Sequence, residues 1–422
     1  MYDYITETSK KAVLIGLDLQ ISDISINESL EELALLAGTA GVEVIGSFTQ
    51  TRSQPHQKYF IGSGKVEEVR SFLIQHSANL VIVDDEITAT QERNLEDALG
   101  CAVIDRTRLI LDIFALHAST TAGKLQVELA QLEYYLPRLR VSWHELNRIG
   151  GGFRTARGPG EQKIEVDRRI IGDRITTLKN KLKKIARQRG DLAKQRRRSF
   201  IKTISLAGYT NAGKSTLMNA LTDAGVDVAD KLFATLSPTT RQFSCGKYDA
   251  LMTDTVGFIR KLPHQVVEAF MATLEQMKEA DILLHVIDIS SDYHRQQIDA
   301  VEKVLLELGV MDRPIIKVYN KVDSLSAEER RNLKNTEEQV FISARTGEGL
   351  DSLREVLELH LDRLNENLIL KIPISRQDVI SAVHNKGHVE SQEYRGELVY
   401  ITCRMDGNLS PAFSEFIAER IE

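Results

Sequence analysis

The sequence predicts an α/β protein with two parallel-sheet domains, a long antiparallel helical hairpin between them and a small α+β domain at the end. Short apolar runs alternate with helical stretches in two separate regions, which is typical of parallel sheets with crossover helices. Between these regions, leucine and isoleucine recur at steps of four and three residues, as in paired helices. The length of 422 residues allows this plan, since a domain has about 100–200 residues. We place the four domains at residues 1–105, 106–199, 200–363 and 364–422.

The N-terminal domain is predicted as four strands alternating with three helices, which implies a parallel sheet. The strands are residues 12–17, 42–48, 80–83 and 102–104, and the helices lie near residues 28–37, 65–76 and 89–99. Before the second helix, residues 62–65 read Gly-Ser-Gly-Lys. A turn of this kind more often only makes a loop than binds a nucleotide.

The second domain is predicted as an antiparallel hairpin of two helices with a glycine-rich loop at its tip, residues 150–160. Pro137 should kink or split the first helix. The first apolar seam consists of Leu125, Leu129, Leu132, Leu136, Leu139, Trp143 and Leu146. The second seam consists of Ile164, Ile171, Ile175, Leu178, Leu182, Ile185 and Leu192.

Positive charge is concentrated in this hairpin. The whole chain has a net charge of −6, which by itself argues against a nucleic-acid partner. Residues 138–198, however, contain 19 Lys and Arg against 6 Asp and Glu, a net charge of +13, so the rest of the chain carries −19. Such asymmetry indicates a surface for a phosphate-rich polymer. The alternative is an ordinary solvated helix face, because Lys and Arg favour helices.

The third domain begins with a phosphate-binding pattern. Its strands are predicted at residues 203–207, 251–253, 282–289, 315–319 and 340–342. The first strand runs into Gly208, Tyr209, Thr210, Asn211, Ala212, Gly213, Lys214 and Ser215, and Thr216 opens the following helix, 216–221. A P-loop between a strand and a helix binds phosphates through backbone N–H groups and the helix N-terminus. Lys214 would contact the β- and γ-phosphates, and Ser215 would bind Mg²⁺.

Three further strand ends carry the rest of a nucleotide site. Asp254, Thr255, Val256 and Gly257 follow the strand 251–253. Asp254 suits the acidic position beside the metal ion, and the N–H of Gly257 suits the γ-phosphate.

The base would be recognised at the ends of the strands 315–319 and 340–342. Asn320, Lys321 and Asp323 resemble the guanine-reading motif of GTPases, and Ser343 with Ala344 resembles the remaining base-contact motif. A carboxylate at Asp323 can accept from the N1–H and 2-amino groups of guanine, which adenine lacks. The order of these motifs predicts a GTPase with GTP as substrate. It excludes a P-loop kinase or ATPase.

The segment 233–240 is predicted to change with the bound nucleotide. It resembles a Phe-x-Thr-Leu segment of related GTPases, which makes Thr235 the expected second Mg²⁺ ligand, with Thr239 and Thr240 as alternatives. Phe258 follows Gly257 and cannot orient the attacking water, so slow intrinsic hydrolysis is expected. Asn211 resembles a feature of potassium-activated GTPases, which implies a K⁺ ion as a further cofactor.

The C-terminal domain is predicted as a small α+β unit, with strands at 369–372 and 397–403 and a helix at 377–384. No apolar run reaches the roughly 18 residues that a membrane span needs. Cys101, Cys245 and Cys403 are isolated, which fits a reducing cytoplasm. We therefore expect a cytoplasmic protein without a membrane span, and a monomer.

Segments outside the nucleotide motifs resemble the HflX family of ribosome-associated GTPases. The segments that carry the resemblance are residues 105–114, 123–132 and 157–161. Together with the nucleotide motifs, the resemblance covers about residues 10–363. We identify the chain as a member of this family from these segments.

The resemblance implies that the protein binds the large ribosomal subunit and its RNA. It is similar to members that separate stalled or idle ribosomes under stress, and the hairpin tip would carry the RNA contacts. The tip and its flanks contain Arg148, Arg154, Arg157 and Lys163. Some members also use ATP in the N-terminal domain, for which residues 62–65 are the only support here. Two alternatives stay open: a GTPase acting on another RNA, and a regulatory GTPase whose hairpin docks a protein.

Overall fold

The computed structural model describes residues 10–20, 25–139, 159–198, 201–222, 233, 239–246, 248–261, 275–407 and 410–421. Within these residues it has three β-sheets, two of them largely parallel and one antiparallel. The predicted α/β fold class is therefore confirmed.

The N-terminal domain is a four-stranded parallel sheet of order β2-β1-β3-β4 with helices on both faces. Its elements are β1 (Lys11–Asp18), α1 (Ile26–Thr39), β2 (Glu43–Thr51), α2 (Ser63–His76), β3 (Leu80–Val83), α3 (Ala89–Leu99) and β4 (Ala102–Asp105). Strand β3 is buried along its whole length, as expected for a strand covered on both faces. Lys65, in the turn singled out above, pairs with Glu68 one turn along α2, at 2.7 Å.

Three helices follow the first sheet: α4 (Arg106–His117), α5 (Thr121–Arg138) and α6 (Pro159–Arg198). Helices α5 and α6 pack through Leu129, Ile175 and Leu178, all members of the predicted apolar seams. Pro137 lies in the last turn of α5, which ends one residue later. Residues 140–158, which include the predicted loop at the tip, lie outside the described residues.

Arg138 ties the end of α5 to the N-terminal domain. Its guanidinium donates to Asp105 Oδ2 at 3.1 Å and to the Ile87 carbonyl at 2.9 Å, and it lies over the Tyr134 ring. The buried Asp105 carboxylate also caps α4 by accepting from the N–H of Arg108 at 2.8 Å. Burial raises the pKa of Glu92, which faces Arg138 at 3.4 Å, to about 7. The helical region is thus fixed to the first sheet by a buried polar joint.

The third domain is a six-stranded sheet of order β10-β9-β8-β5-β7-β6, in which only β6 runs antiparallel to its neighbour. Its elements are β5 (Lys202–Gly208), α7 (Lys214–Thr222), β6 (Thr239–Cys245), β7 (Tyr248–Asp254), β8 (Ile282–Asp288), α8 (His294–Leu308), β9 (Ile315–Asn320), α9 (Ala327–Arg331), β10 (Gln339–Phe341) and α10 (Leu350–Arg363). Strand β6 was absent from the sequence prediction, because its residues are mostly polar and half-buried or exposed.

The C-terminal domain is a four-stranded antiparallel sheet of order β12-β13-β11-β14. Its elements are β11 (Asn365–Pro373), α11 (Gln377–Lys386), β12 (His388–Arg395), β13 (Leu398–Asp406) and β14 (Ile417–Ile421). The predicted α+β character is confirmed, although the sequence analysis missed the two edge strands β12 and β14. Both edge strands are largely exposed and therefore lack the apolar alternation of a half-buried strand.

The first and third domains share one apolar core. A single buried cluster contains Leu33 and Phe114 of the first half of the chain together with Tyr209, Phe233 and Phe258 of the third domain. The rings of Phe114 and Phe233 meet edge to face, with centroids 4.5 Å apart. The N-terminal domain therefore packs directly against the P-loop and the strand end that follows β7.

No helix in the described ranges combines the length and the apolar character that crossing a membrane requires.

Candidate nucleotide-binding site

The P-loop connects the end of β5 to the start of α7. Its backbone requires glycine at two close approaches. A Cβ on Gly208 would lie 2.3 Å from the carbonyl oxygen of Val286, and a Cβ on Gly213 would lie 2.2 Å from Asn320 Nδ2. Gly213 has a φ of +89° and Asn211 a φ of +61°, both in the left-handed region, which glycine and asparagine tolerate best. The exposed Asn211 lies on the outer side of this loop.

Lys214 begins α7 and is buried inside the loop. Its ammonium group donates to the carbonyl oxygens of Tyr209 at 2.7 Å and Gly208 at 3.1 Å. Burial lowers the pKa of Lys214 to about 8, partly offset by the carboxylate of Asp254. Within the described residues the ammonium donates its hydrogen bonds to carbonyl oxygens, and a buried cation of this kind is well suited to phosphate oxygens.

We expect GTP binding to take up a proton at alkaline pH. Below pH 8 Lys214 is already charged, whereas above pH 8 it must gain a proton to face the phosphates, so affinity should fall by up to tenfold per pH unit. Calorimetry with MgGTP in buffers of different ionisation enthalpy should give an uptake of about 0.8 proton at pH 8.5 and about 0.1 at pH 7. No uptake at pH 8.5 would show that Lys214 is charged before the nucleotide arrives.

Ser215 and Asp254 meet at the metal side of the loop. The Ser215 hydroxyl donates to Asp254 Oδ2 at 2.6 Å, and Asp254 is buried at the end of β7. A hydroxyl and a carboxylate are oxygen ligands of the kind that Mg²⁺ prefers, so these side chains fit a magnesium ion. The predicted second ligand, Thr235, lies outside the described residues.

The two alternatives to Thr235 lie in β6. Thr239 pairs with Asp254 in the strand ladder, and the Thr240 hydroxyl is 3.0 Å from the Thr253 hydroxyl. Strand β6 thus places both threonines next to the strand that ends at the metal side.

The segment after β7 lies against the P-loop. The N–H of Thr210 donates to the Phe258 carbonyl at 2.7 Å, and the N–H of Phe258 donates to the Gly208 carbonyl at 3.1 Å. A Cβ on Gly257 would lie 3.0 Å from Lys214 Nζ, so glycine permits this close approach. The Phe258 side chain is buried in the shared core.

Thr255 and Val256 anchor the segment that follows β7 to the interior of the protein. The Thr255 hydroxyl donates to the Leu206 carbonyl at 2.6 Å, and Val256 is buried in the shared core. In the same domain, Thr216 follows Ser215 in the first turn of α7.

The predicted base-binding residues come together at the ends of β9 and β10. Asn320 is buried and donates through Nδ2 to the Ala212 carbonyl at 2.9 Å, while its Oδ1 accepts from the N–H of Ala344 at 2.9 Å. Asp323 Oδ1 accepts from the Ser343 hydroxyl at 2.7 Å. This bond, followed by the nearby Arg345 guanidinium, lowers the pKa of Asp323 and keeps it ionised.

Lys321 lies between Asn320 and Asp323 in the chain, but its side chain contacts the neighbouring strand. It has a φ of +69°, and its ammonium donates to Asp288 Oδ2 at 2.6 Å. Asp288 lies at the end of β8, so this bond joins the base-binding turn to the neighbouring strand.

Sequence reasoning missed Arg345. Its guanidinium forms an ion pair with the second oxygen of Asp323, the position at which a guanine would donate. The Arg345 side chain is 77% exposed, so it can turn away at little cost when a base arrives. The sequence feature that could have identified Arg345 is that this cation directly follows Ser343 and Ala344.

Sequence reasoning also missed a tyrosine contact to the N-terminal domain. The Tyr209 hydroxyl donates to Glu32 Oε2 at 2.5 Å. Nothing in the sequence connects two residues this far apart in the chain.

The predicted RNA-binding residues cannot be placed in the same way. Arg148, Arg154 and Arg157 lie outside the described residues, and of Lys163 only the backbone, within α6, is described. Their RNA contacts stay a prediction.

Three family models match successive parts of the chain. Residues 27–115 match the model described as GTP-binding GTPase N-terminal, residues 117–196 match GTP-binding GTPase Middle Region, and residues 203–321 match 50S ribosome-binding GTPase.

Proteins named GTPase HflX are similar over most of the chain. The protein of Caldanaerobacter subterraneus subsp. tengcongensis is 44% identical over 98% of this chain and 95% of its own length. That of Escherichia coli K12 is 43% identical over 82% of each chain. Among solved structures, a GTP-binding protein from Sulfolobus solfataricus in complex with GDP is 24% identical and covers 84% of this chain and 99% of its own, with a TM-score of 0.45.

Proposed function

Because the chain belongs to the HflX family of GTPases, we propose that it binds the large ribosomal subunit and uses GTP hydrolysis to dissociate stalled or idle ribosomes under stress. The observation that carries the proposal is a nucleotide site joined, through β5, to a long basic helix. The relatives are GTPases, and this chain has the same activity.

In the proposed cycle, Lys214 stabilises charge on the β- and γ-phosphates, and the backbone of Gly257 contacts the γ-phosphate. Ser215, Asp254 and Thr235 would hold Mg²⁺, which neutralises phosphate charge when bound. Because the Phe258 side chain is buried and has no hydrogen-bonding group, this residue does not position the water. We propose that ribosome contact completes the hydrolytic site. The K⁺ ion at Asn211 stays a prediction.

Helix α6, in the described part of the hairpin, offers a surface for ribosomal RNA. Arg174 and Lys179 flank the apolar seam and pair with Glu128 and Glu133 of α5 at 2.7 and 2.8 Å. On the opposite side of α6, the basic face consists of Asn180, Lys183, Lys184 and Arg187, which line one shallow groove. These three cations are exposed, and the structure gives them no acidic partner within its described ranges.

Replacing Lys183 and Lys184 with alanine should weaken binding to large subunits by about tenfold at low salt, because two phosphate contacts are lost. The slope of log affinity against log salt should fall by about 2. Alanine preserves the helix, so GTP affinity should not change. Co-sedimentation with purified large subunits across a salt series, in the presence of a non-hydrolysable GTP analogue, measures both quantities.

The matched control is Lys303→Ala with Lys334→Ala, two exposed lysines of the third domain. If the α6 pair and the control pair behave alike, the basic face of α6 does not bind RNA. Loss of binding without a change in the salt slope would instead favour a protein partner for the hairpin. The same assay on Arg154→Glu with Arg157→Glu tests the predicted tip.

A further inference from the structure

A set of buried and half-buried ion pairs joins the N-terminal domain to the nucleotide site. The N-terminal domain contributes an acidic cluster, which consists of Glu28 and Glu32 of α1 and of Asp84 and Asp85 after β3. The third domain contributes Arg260 and Lys261, which follow Gly257 by three and four residues. Within the N-terminal domain, Arg106 also binds Glu32 and donates to Asp84 Oδ1 at 2.9 Å.

Arg260 and Lys261 each contact two carboxylates. The Arg260 guanidinium forms an ion pair with Glu28 and lies 3.6 Å from Glu32 Oε2. The Lys261 ammonium lies 2.5 Å from Asp84 Oδ2 and 2.7 Å from Asp85 Oδ1. Glu28 is buried and the Arg260 side chain is only 10% exposed, and a buried charge is costly when unpaired, so the Arg260 contacts hold their partners in place. The Lys261 side chain is 38% exposed, and its ion pairs contribute less.

Tyr209 connects the same carboxylate to the P-loop. Its hydroxyl donates to Glu32 Oε2 at 2.5 Å and accepts from the N–H of Arg260 at 2.9 Å. The Tyr209 ring is 4% exposed, and burial beside the Glu32 carboxylate raises the pKa of its hydroxyl, which keeps it a neutral donor. One oxygen of Glu32 thus lies next to both the P-loop and the segment after Gly257.

These contacts link the P-loop to the segment that follows Gly257, the two parts of the site that must be positioned together around a γ-phosphate. Gly208 and Thr210, on either side of Tyr209, already bond to the backbone of Phe258. The Tyr209 hydroxyl adds a third link two residues further on, at Arg260. Any movement of Gly257 towards a γ-phosphate must therefore either carry Arg260 along or break its contacts with the acidic cluster.

We propose that Glu32 is a positioning residue for the GTPase reaction, by which the N-terminal domain sets the positions of the P-loop and of the Gly257 segment. Glu32 acts on the P-loop through the Tyr209 hydroxyl, and on the Gly257 segment through Arg260. The position of the N-terminal domain and the presence of the γ-phosphate are then coupled, since both depend on where Arg260 lies.

Two conservative variants of the full-length protein test this proposal. Glu32→Gln keeps the shape and an acceptor but removes the charge, and Tyr209→Phe removes only the hydroxyl. Dissociation rates of fluorescent GDP and of a fluorescent non-hydrolysable GTP analogue should be measured by stopped flow, with kcat and KM for GTP. We expect each variant to release the triphosphate analogue at least about fivefold faster and to change GDP release clearly less, because GDP contacts the P-loop alone whereas the triphosphate contacts both the P-loop and Gly257.

A double-mutant cycle and a matched control complete the experiment. The effect of the double variant should be smaller than the sum of the two single effects, since both changes remove the hydrogen bond between Tyr209 and Glu32. Glu31→Gln, an exposed neighbour on α1, should behave like the unmodified protein. The proposal is overturned if Tyr209→Phe leaves triphosphate release unchanged, if GDP and the triphosphate analogue are affected equally, or if the two effects add.

Discussion

Replacing Lys214 with alanine is expected to lower kcat/KM for GTP by about 1,000-fold or more, on the order of 4 kcal/mol of transition-state stabilisation. Lys214 is the buried cation of the P-loop, and its two partners in the described structure are backbone carbonyls. Without it, phosphate charge inside the loop has no side-chain counter-ion. Steady-state hydrolysis and equilibrium binding of a fluorescent GTP analogue measure the loss.

The fold should survive this change. Burial already lowers the pKa of Lys214 to about 8, so the ammonium is held at a cost that alanine removes. The melting temperature of Lys214→Ala should therefore be unchanged or higher. The control is Lys317→Ala on β9, a part-exposed lysine paired with Glu302, which should keep activity within about twofold. GTP hydrolysis by Lys214→Ala at the rate of this control would remove Lys214 from the phosphate site.

Replacing Asp323 with asparagine is expected to lower GTP affinity by about 100-fold and to leave ATP affinity almost unchanged. The carboxylate offers two acceptor oxygens, one already oriented by the Ser343 hydroxyl at 2.7 Å. Asparagine keeps one acceptor but places an amide donor against the donors of guanine. Competition of GTP, ITP and ATP against a fluorescent nucleotide measures this preference.

Inosine triphosphate separates the two guanine contacts, because it keeps N1–H and lacks the 2-amino group. The unmodified protein should bind ITP more weakly than GTP, and Asp323→Asn should reduce that difference. Asp351→Asn, an exposed carboxylate at the start of α10, serves as the control. If Asp323→Asn still prefers GTP over ATP as strongly as the control does, another residue reads the base.

The parts of the fold that the sequence predicted are those with short-range signals. Strand β3 was predicted with its observed bounds because four consecutive apolar residues lie between turn signals. The nucleotide motifs were predictable for a similar reason, since each occupies a strand end and requires residue types such as the glycines at 208 and 213. Strands β6 and β12 were missed because their pairing partners, and not their own apolar residues, define them.

The contacts around Glu32 could not be predicted from the sequence. Tyr209 lies 177 residues from Glu32, and nothing in the local pattern of either residue marks the other. Their proximity follows from the packing of the N-terminal domain against the third domain, which places Leu33 and Tyr209 in the same core. A buried glutamate in a helix of ordinary amphipathic pattern gives no sign of its partner. Long-range polar contacts of this kind require the tertiary structure.

Helix α6 also has a mechanical consequence. Its 40 residues extend over about 60 Å, and its end is followed by β5, the strand that carries the P-loop. A rotation of about 5° at that end would displace the opposite end by about 5 Å, nearly one helical turn. In this sense α6 would act as a long lever arm, with β5, which ends at the P-loop, as the short arm. A displacement too small to detect easily at the bound nucleotide would become a displacement of about the size of one nucleotide at the far end of α6.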